Sequence, residues 1–265
     1  MKQIISCSYR DDTPAFFSEE FFQNYHRGMA VLQTNHGTRP VSLRPEHVAC
    51  MVFWTKNPSD HFIENMASLR SPFYIQWTIT GYNEDIEPNV PPKQEVLRRF
   101  RQVSQTIGKE RVWWRYDPIL INDFYDVDYH TSRFADMASS LKGHTTHCVI
   151  SFLDEYGKIM DQVRKGSMRA PTDEEIHKMA ASMSAVAAAN GMTVQTCSEG
   201  RYDLTAYGIE EAPCIDAAFI EKEFRITLDD SIKHPNSFRQ CKCAVNTDLG
   251  SYHRCKHGCK YCYAK

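Results

Sequence analysis

The chain has 265 residues, with 31 Lys and Arg against 33 Asp and Glu, and its formal net charge at pH 7 is −2. A net charge this close to zero gives no overall basic field, which argues against binding of nucleic acid or acidic membranes through net charge alone. The length suits one α/β domain with a large core. No uncharged apolar stretch approaches the length of a membrane span, and Met1–Ile5 is too short for a signal peptide, so we expect a cytoplasmic protein without a membrane partner.

Short apolar runs alternate with helical patterns along the chain. This alternation predicts parallel strands joined by helical crossovers, and therefore an α/β fold. The predicted strands are Gln3–Ser8, His47–Trp54, Phe73–Ile79, Arg111–Tyr116, Thr146–Phe152 and Met192–Cys197. Cys50 and Cys148 lie inside apolar strand runs and are interpreted as buried small hydrophobic side chains.

Helix start signals lie between these strands. Thr13–Pro14 and Asn57–Pro58 each predict an N-cap followed by proline at the first helical position. Thr172 and Glu175 form a capping-box pattern that predicts a helix over Asp173–Asn190.

Polar residues follow each predicted strand. They are Ser8, Arg10 and Asp11 after the first, Thr55 and Lys56 after the second, Thr78 and Thr80 at the third, Arg115 and Asp117 at the fourth, Ser151 and Asp154 at the fifth, and Ser198 and Glu199 at the sixth. In barrels of parallel strands, functional residues lie at the carboxyl ends of the strands. Polar strand ends also serve solubility alone, so the set indicates a site only as a group.

Two members of this set lie two residues apart. Arg115 and Asp117 fall in one strand-like run, so their side chains face the same way. They are equally suited to bind each other as an ion pair and to bind the carboxylate and hydroxyl groups of a ligand. A hydrolase-like function is a further alternative. In that case Asp117 and Glu199 would act as acid and base beside a structural metal.

The chain contains 10 cysteines, and three of them close the sequence. Cys255, Cys259 and Cys262 have C-x-x-x-C-x-x-C spacing, with Tyr261 directly before the third. Three thiolates can each hold one iron of a [4Fe-4S] cube and leave the fourth iron open. A structural zinc normally takes four ligands, so the spacing favours the cluster over a zinc knuckle.

Four further cysteines are candidates for a second metal site. They are Cys197, Cys214, Cys241 and Cys243. Four thiolates can close an auxiliary iron–sulfur cluster, and they suit zinc equally well. The alternative is that these four thiols hold no metal.

The terminal run reads Cys-x-His-Gly-Cys-x-Tyr-Cys-Tyr-Ala and resembles the cluster loop of radical S-adenosylmethionine (SAM) enzymes, most closely their spore photoproduct lyase-like branch. The resemblance implies that Cys255, Cys259 and Cys262 bind a [4Fe-4S] cluster and that Tyr261 lies beside the adenine of SAM. It also implies that the reduced cluster cleaves SAM to a 5′-deoxyadenosyl radical, which abstracts hydrogen from a substrate. We expect His257, between two of these cysteines, to shape the loop rather than bind iron.

Further consequences of the resemblance concern cofactors and partners. Arg115, Asp117, Ser198, Glu199 and Arg10 become candidates for binding SAM. The reaction requires a reductant such as flavodoxin or ferredoxin. The substrate stays open among a small molecule, a peptide and a modified nucleotide.

The chain as a whole resembles a bacterial family, the domain-of-unknown-function 1848 family, whose cluster motif also lies at the C-terminus. The resemblance rests on Ile4–Phe16, Val52–Pro58, Asp85–Pro92 and Trp114–Leu120. The six predicted βα units match the partial (β/α)6 TIM-type barrel of radical SAM enzymes. We therefore predict a partial barrel over residues 1–207 and a C-terminal cysteine-rich extension over residues 208–265, together forming a single compact unit.

A different class of function is compatible with the same cysteines. The protein would then be a non-radical iron–sulfur or zinc-binding barrel protein, in which the metal has a structural role or is delivered elsewhere.

Overall fold

The computed structural model describes residues 2–34, 37–155, 157–233 and 241–264. The strands in these ranges are β1 Gln3–Cys7, β2 Met29–Thr34, β3 Gly37–Ser42, β4 Val48–Thr55, β5 Phe73–Thr78, β6 Val112–Ile119, β7 His147–Phe152, β8 Thr193–Thr196, β9 Glu210–Glu211 and β10 Asn246–Asp248. The α-helices are α1 Thr13–Phe16, α2 Ser18–Arg27, α3 Asp60–Asn65, α4 Lys93–Ile107, α5 Val127–Leu141, α6 Met160–Arg164, α7 Asp173–Ala189, α8 Ala217–Phe224 and α9 Asp230–Lys233.

The main sheet has eight strands in the order β10-β1-β4-β5-β6-β7-β8-β9. The pairs β1–β10, β1–β4, β6–β7, β7–β8 and β8–β9 are parallel. The predicted α/β class is confirmed, and each of the six predicted strands is present with its ends shifted by at most a few residues. Among the described residues, no helix is long and apolar enough to cross a membrane.

The sequence patterns missed four strands. β2 and β3 form an antiparallel hairpin in which Met29 pairs with Ser42. β9 and β10 span only two and three residues, and each adds to an edge of the main sheet beside β8 and β1, respectively. Strands this short carry too few alternating positions to give a periodic signal, so only the partner strand defines them.

The predicted helix starts were partly wrong about the capping residue. Asp12, not Thr13, caps α1, since its carboxylate accepts a hydrogen bond from the Ala15 amide at 3.0 Å. Ser59, not Asn57, caps α3. By contrast, the capping box of α7 is confirmed: the Thr172 side chain accepts from the Glu175 amide, and the Glu175 side chain accepts from the Thr172 amide.

The chain divides into two compact units. The first contains Met1–Gln76, Pro213–Lys256 and Ala264, and the second contains Trp77–Ala212 and His257–Tyr263. The division into a barrel and an extension at residue 208 stays a prediction.

Within the first unit, the chain after β10 lies directly against the end of β1. The Leu249 amide donates to the Ser6 carbonyl at 2.9 Å, and the Ser251 amide donates to the Asp11 carboxylate at 3.0 Å. Gly250 lies between these two bonds, and a Cβ atom there would be 1.7 Å from Ser8 Oγ and 2.3 Å from Ser8 Cβ. This approach requires glycine at position 250 because no side chain fits between the two segments.

Gly250→Ala is therefore expected to destabilise the protein by about 1–3 kcal/mol through overpacking. Ser8→Gly removes both colliding atoms, so the double variant should recover part of that loss in free energy of unfolding. The measurement is a double-mutant cycle by urea unfolding, with Ser8→Gly alone as the control. Strictly additive effects of the two substitutions would contradict the close approach.

Candidate functional site

The terminal cysteine loop of the second unit is packed into an apolar cluster. Cys259 and Tyr261 are buried, and Cys262 is partly buried against the same cluster. The cluster also contains Tyr82, Ile86, Leu120, Tyr125, Leu153, Ile159 and Met168. Cys259 and Cys262, two of the three cysteines predicted to bind the iron–sulfur cluster, thus pack within the second unit.

Backbone hydrogen bonds join this loop to the Asp85–Pro92 segment. The Asn89 amide donates to the His257 carbonyl at 3.2 Å, and the Lys260 amide donates to the Ile86 carbonyl at 3.0 Å. The His257 ring is buried, and its Nδ1 lies 3.4 Å from the Asn89 carbonyl oxygen. This position agrees with the expectation that His257 shapes the loop.

Gly258 allows the two segments to approach. Its φ is +71°, in the left-handed region that favours glycine, and a Cβ there would lie 3.2 Å from both Asn89 Nδ2 and Pro88 Cγ. The backbone conformation at position 258 therefore explains why glycine follows His257 in the motif. The resemblance alone did not provide this explanation.

A buried carboxylate fixes the aromatic residue of the motif. Glu87 is only 1% exposed, and its Oε1 accepts a hydrogen bond from Thr80 Oγ1 at 2.8 Å and another from the Tyr261 hydroxyl. Its Oε2 accepts from Lys93 Nζ. Burial, and then the charges of Cys259 and Glu87, raise the pKa of Tyr261, so this phenol stays protonated and donates.

Cys255, the first cysteine of the run, belongs to the first unit and is half-buried. The preceding residue, Arg254, bonds Glu20 at 2.6 Å, and its guanidinium lies 3.8 Å from the ring centroid of Phe17. The His253 amide donates to the Ala264 carbonyl at 2.9 Å. These contacts order the chain on the N-terminal side of Cys255.

The donor chemistry of the run suits an iron–sulfur cluster, because all three cysteines are thiols that ionise on binding iron. Within the described ranges, however, no group of three or more His, Cys, Asp or Glu side chains is placed to hold a metal ion. The cluster at Cys255, Cys259 and Cys262 therefore stays a prediction.

The second set of cysteines includes two residues that lie near each other in the first unit. The Ile215 amide, next to Cys214, donates to Cys243 Sγ at 3.3 Å. The Cys214 carbonyl accepts hydrogen bonds from Tyr74 and Gln76 at 2.6 and 2.8 Å.

One further thiol lies in this region, and the sequence did not indicate it. Burial, and then the nearby thiols of Cys50, Cys243 and Cys214, raise the pKa of Tyr74. Cys50 is buried within β4, as predicted. Its effect on Tyr74 depends on tertiary packing, which no spacing pattern records. A second metal site at Cys197, Cys214, Cys241 and Cys243 stays a prediction.

The ends of β6 and β7 carry an ion pair between Arg115 and Asp117. Arg115 Nε donates to Asp117 Oδ2 at 2.9 Å, its Nη2 donates to the same oxygen, and Ser151 Oγ donates to Asp117 Oδ1. The ion-pair alternative for Arg115 and Asp117 is confirmed. Their contact with SAM stays a prediction.

Glu199 follows β8, and its carboxyl group has a strongly raised pKa. It is 6% exposed, and its Oε1 accepts a hydrogen bond from the Phe152 amide at 2.9 Å. Burial raises the pKa of Glu199 to about 7, and the carboxylates of Asp154 and Asp117 act in the same direction. The preceding residue, Ser198, has a φ of +59°, which turns the chain sharply after the strand. Glu199 can therefore exchange a proton near neutral pH.

Arg10 lies in the first unit and forms an ion pair with Asp248. Its Nε is 3.3 Å from Asp248 Oδ2, and its guanidinium lies 5.3 Å from the ring centroid of Tyr252. Asp248 also accepts from Ser6 Oγ at 2.8 Å and from Ser8 Oγ at 3.0 Å. The sequence offered no sign of Asp248, because its strand β10 was not recognisable.

Comparison with known protein families gives a match over almost the whole chain. A family model described as a domain of unknown function, DUF1848, matches residues 4–264. The chain belongs to this family. A search of curated proteins finds no match. The family assignment made from the sequence stretches is confirmed, and it extends over both compact units.

Tyr261→Phe is expected to lower the free energy of unfolding by about 1–3 kcal/mol, since a buried carboxylate loses one donor. Amide hydrogen exchange at Lys260 and Cys262 should become faster in the same variant. Tyr263→Phe is the matched control, because it removes a hydroxyl from an exposed tyrosine of the same tail. Equal stability of the two variants would contradict a stabilising role for the Tyr261–Glu87 bond.

Glu199→Gln should change how stability depends on pH. The folded-state pKa is about 7 and the ordinary value is 4.5, so the folded state binds more protons between these values and wild-type stability falls as pH rises through them. The variant lacks this loss and should be more stable than wild type at pH 8 by up to about 3 kcal/mol, but not at pH 4.5. Urea unfolding across this range measures the difference, with the exposed Glu210→Gln as the control. Parallel pH profiles for wild type and Glu199→Gln would refute the raised pKa.

Proposed function

We propose that the protein is a cytoplasmic radical SAM enzyme built on a partial (β/α)6 TIM-type barrel, and that Cys255, Cys259 and Cys262 bind its [4Fe-4S] cluster. When bound and reduced, the cluster supplies reductive cleavage of SAM to a 5′-deoxyadenosyl radical that abstracts hydrogen from a substrate. A small reductant such as flavodoxin or ferredoxin supplies the electron.

One observation carries the proposal. The cysteine loop of the second unit is not a loose tail, since Glu87 holds Tyr261, and the backbone of Ile86–Asn89 holds the loop on both sides of Cys259. An ordered loop restricts the positions of Cys259 and Cys262 before a metal binds, which lowers the entropic cost of assembling a cluster. The apolar cluster around Cys259 also excludes water from that thiolate.

The strand ends of the second unit supply groups that suit the polar parts of SAM. Glu199 can accept hydrogen bonds from an amine or from ribose hydroxyls, and its near-neutral pKa allows it to bind in either protonation state. Arg115 carries a positive charge suited to a carboxylate, although Asp117 already neutralises it. Ser198, the residue before Glu199, carries a hydroxyl that can donate or accept a hydrogen bond. We assign these residues to cofactor binding, with Tyr261 beside the adenine.

A second metal site is part of the proposal. Cys214 and Cys243 lie on either side of the Ile215 amide, which donates to Cys243 Sγ. We propose that they bind an auxiliary iron–sulfur cluster with Cys197 and Cys241. Because this site is distinct from the terminal run, losing it should change the iron content without abolishing SAM cleavage.

The deciding experiment is anaerobic purification followed by iron and sulfide analysis and incubation with SAM and dithionite. We expect at least about four irons per chain and release of 5′-deoxyadenosine. Cys255→Ala, Cys259→Ala and Cys262→Ala should each reduce product to background and change the charge-transfer absorption of the cluster. Cys148→Ala, in the buried interior of β7, is the matched control and should retain both signals.

Two results separate the proposal from its alternative. An intact cluster that releases no 5′-deoxyadenosine with any reductant would indicate a non-radical iron–sulfur protein. Zinc at every cysteine site under strict anoxia would indicate a structural or metal-delivery role. Cys241→Ala tests the auxiliary site separately, since it should remove part of the iron and leave most of the SAM cleavage.

A further inference from the structure

A pocket of about 560 Å³ lies in the second unit beside the Asp85–Pro92 segment. The charged residues that line it are Glu84, Asp85, Glu87 and Lys93. Lys93 bonds Glu87, so these two charges largely neutralise each other. Glu84 and Asp85 are exposed and leave the pocket with a net negative charge. A negative pocket favours cationic ligands and disfavours anions.

Aromatic rings form another part of the lining. Phe124 is 59% exposed at the pocket, and its ring centroid lies 4.9 Å from that of Tyr125 in an edge-to-face arrangement. Tyr125 packs edge-to-face on Tyr82 at 5.1 Å, and its hydroxyl donates to Asp85 Oδ1 at 2.5 Å. The rings are therefore fixed against each other, and one of the two exposed carboxylates is fixed to them. Aromatic faces attract cations, and they also bind apolar groups.

The same segment connects this pocket to the cysteine loop. Glu87 lines the pocket and also accepts the Tyr261 hydroxyl, while the adjacent Ile86 carbonyl accepts the Lys260 amide. The Asp85–Pro92 segment thus has one side against the loop that carries Cys259 and another side that forms the pocket wall. The loop is bonded by Ile86, Glu87 and Asn89, while Asp85 accepts from Tyr125, which packs in the same apolar cluster as Cys259 and Tyr261.

We propose that this pocket binds an organic cation, in which a protonated amine is joined to an aromatic or apolar group, and that such amines are the substrate class of this enzyme. The ammonium group contacts Glu84 and Asp85, and the apolar part packs on Phe124. The assignment of the amine as a substrate rests on the proposed function, whereas the binding of the cation does not.

The test is a titration of the full-length protein with 2-phenylethylamine, followed by NMR. The anionic 3-phenylpropanoate, of similar size, is the comparison probe. We expect the amine to shift resonances of Phe124 and Tyr125 and the anion to bind more weakly. Glu84→Gln combined with Asp85→Asn should weaken amine binding roughly fivefold, as expected for water-accessible ion pairs. Phe124→Ala should weaken it about threefold.

Asp123→Asn is the matched control, because it removes one exposed carboxylate beside Phe124 but outside the pocket lining. Its amine affinity should equal that of wild type. Equal binding of amine and anion, or equal amine affinity of the double variant and Asp123→Asn, would overturn the cation site.

A competition experiment separates this inference from the proposed function. Displacement of the amine by SAM, one for one, would assign the pocket to the cofactor and overturn the substrate assignment. Carboxylate-dependent amine binding in a protein that never cleaves SAM would overturn the proposed function and support the cation site alone. If both hold, addition of the amine should change the rate of 5′-deoxyadenosine release in wild type, and the Glu84→Gln, Asp85→Asn variant should respond only at higher amine concentration.

Discussion

The arrangement of the cysteine loop depends on one buried carboxylate. Removing Glu87 from water is unfavourable unless hydrogen bonds and an opposite charge replace its hydration. Thr80, Lys93 and Tyr261 supply them from the end of β5, the start of α4 and the terminal loop. Because each donor comes from a different part of the second unit, satisfying Glu87 fixes the terminal loop relative to the strand end and the helix. A loop fixed in this way keeps its thiols in a defined environment.

The burial of Glu87 also explains why the residues around it differ in exposure. Ile86 and Glu87 are buried and face the terminal loop, whereas Glu84 and Asp85 are exposed. The carboxylate of Glu87 points into the protein, and the carbonyl of Ile86 bonds the terminal loop. The neighbouring side chains of Glu84 and Asp85 face outward. The exposed side chains of Glu84 and Asp85 therefore lie beside the contacts that hold the loop, and Asp85 also accepts from Tyr125 of the apolar cluster.

The sequence predicted what local patterns record. Apolar runs gave the six main strands, and Thr172 with Glu175 gave the start of α7, because both signals depend on neighbouring positions. The ion pair of Arg115 with Asp117 was one of two alternatives that strand alternation left open, and it also depends on neighbouring positions. Short strands such as β10, and with them Asp248 beside Arg10, could not be found, since their structure depends on a partner distant in the chain. The capping residues were misassigned by two positions or fewer, because proline indicates a helix start but several nearby side chains can accept the first amide.

The carboxyl groups of Asp117 and Glu199 differ in how readily a ligand could replace their present hydrogen-bond partners. Asp117 is bonded by Arg115 on one oxygen and by Ser151 on the other, so a ligand that binds there must replace a charge-assisted bond. Glu199 is compensated less fully: the Phe152 amide and Arg201 lower its pKa, but burial outweighs them and raises it to about 7. A ligand that brings a positive charge or a hydroxyl donor to Glu199 would stabilise the ionised form and lower that pKa. A cationic ligand at Glu199 would therefore release a proton from that carboxyl group on binding, whereas a ligand at Asp117 would first have to replace the bond from Arg115.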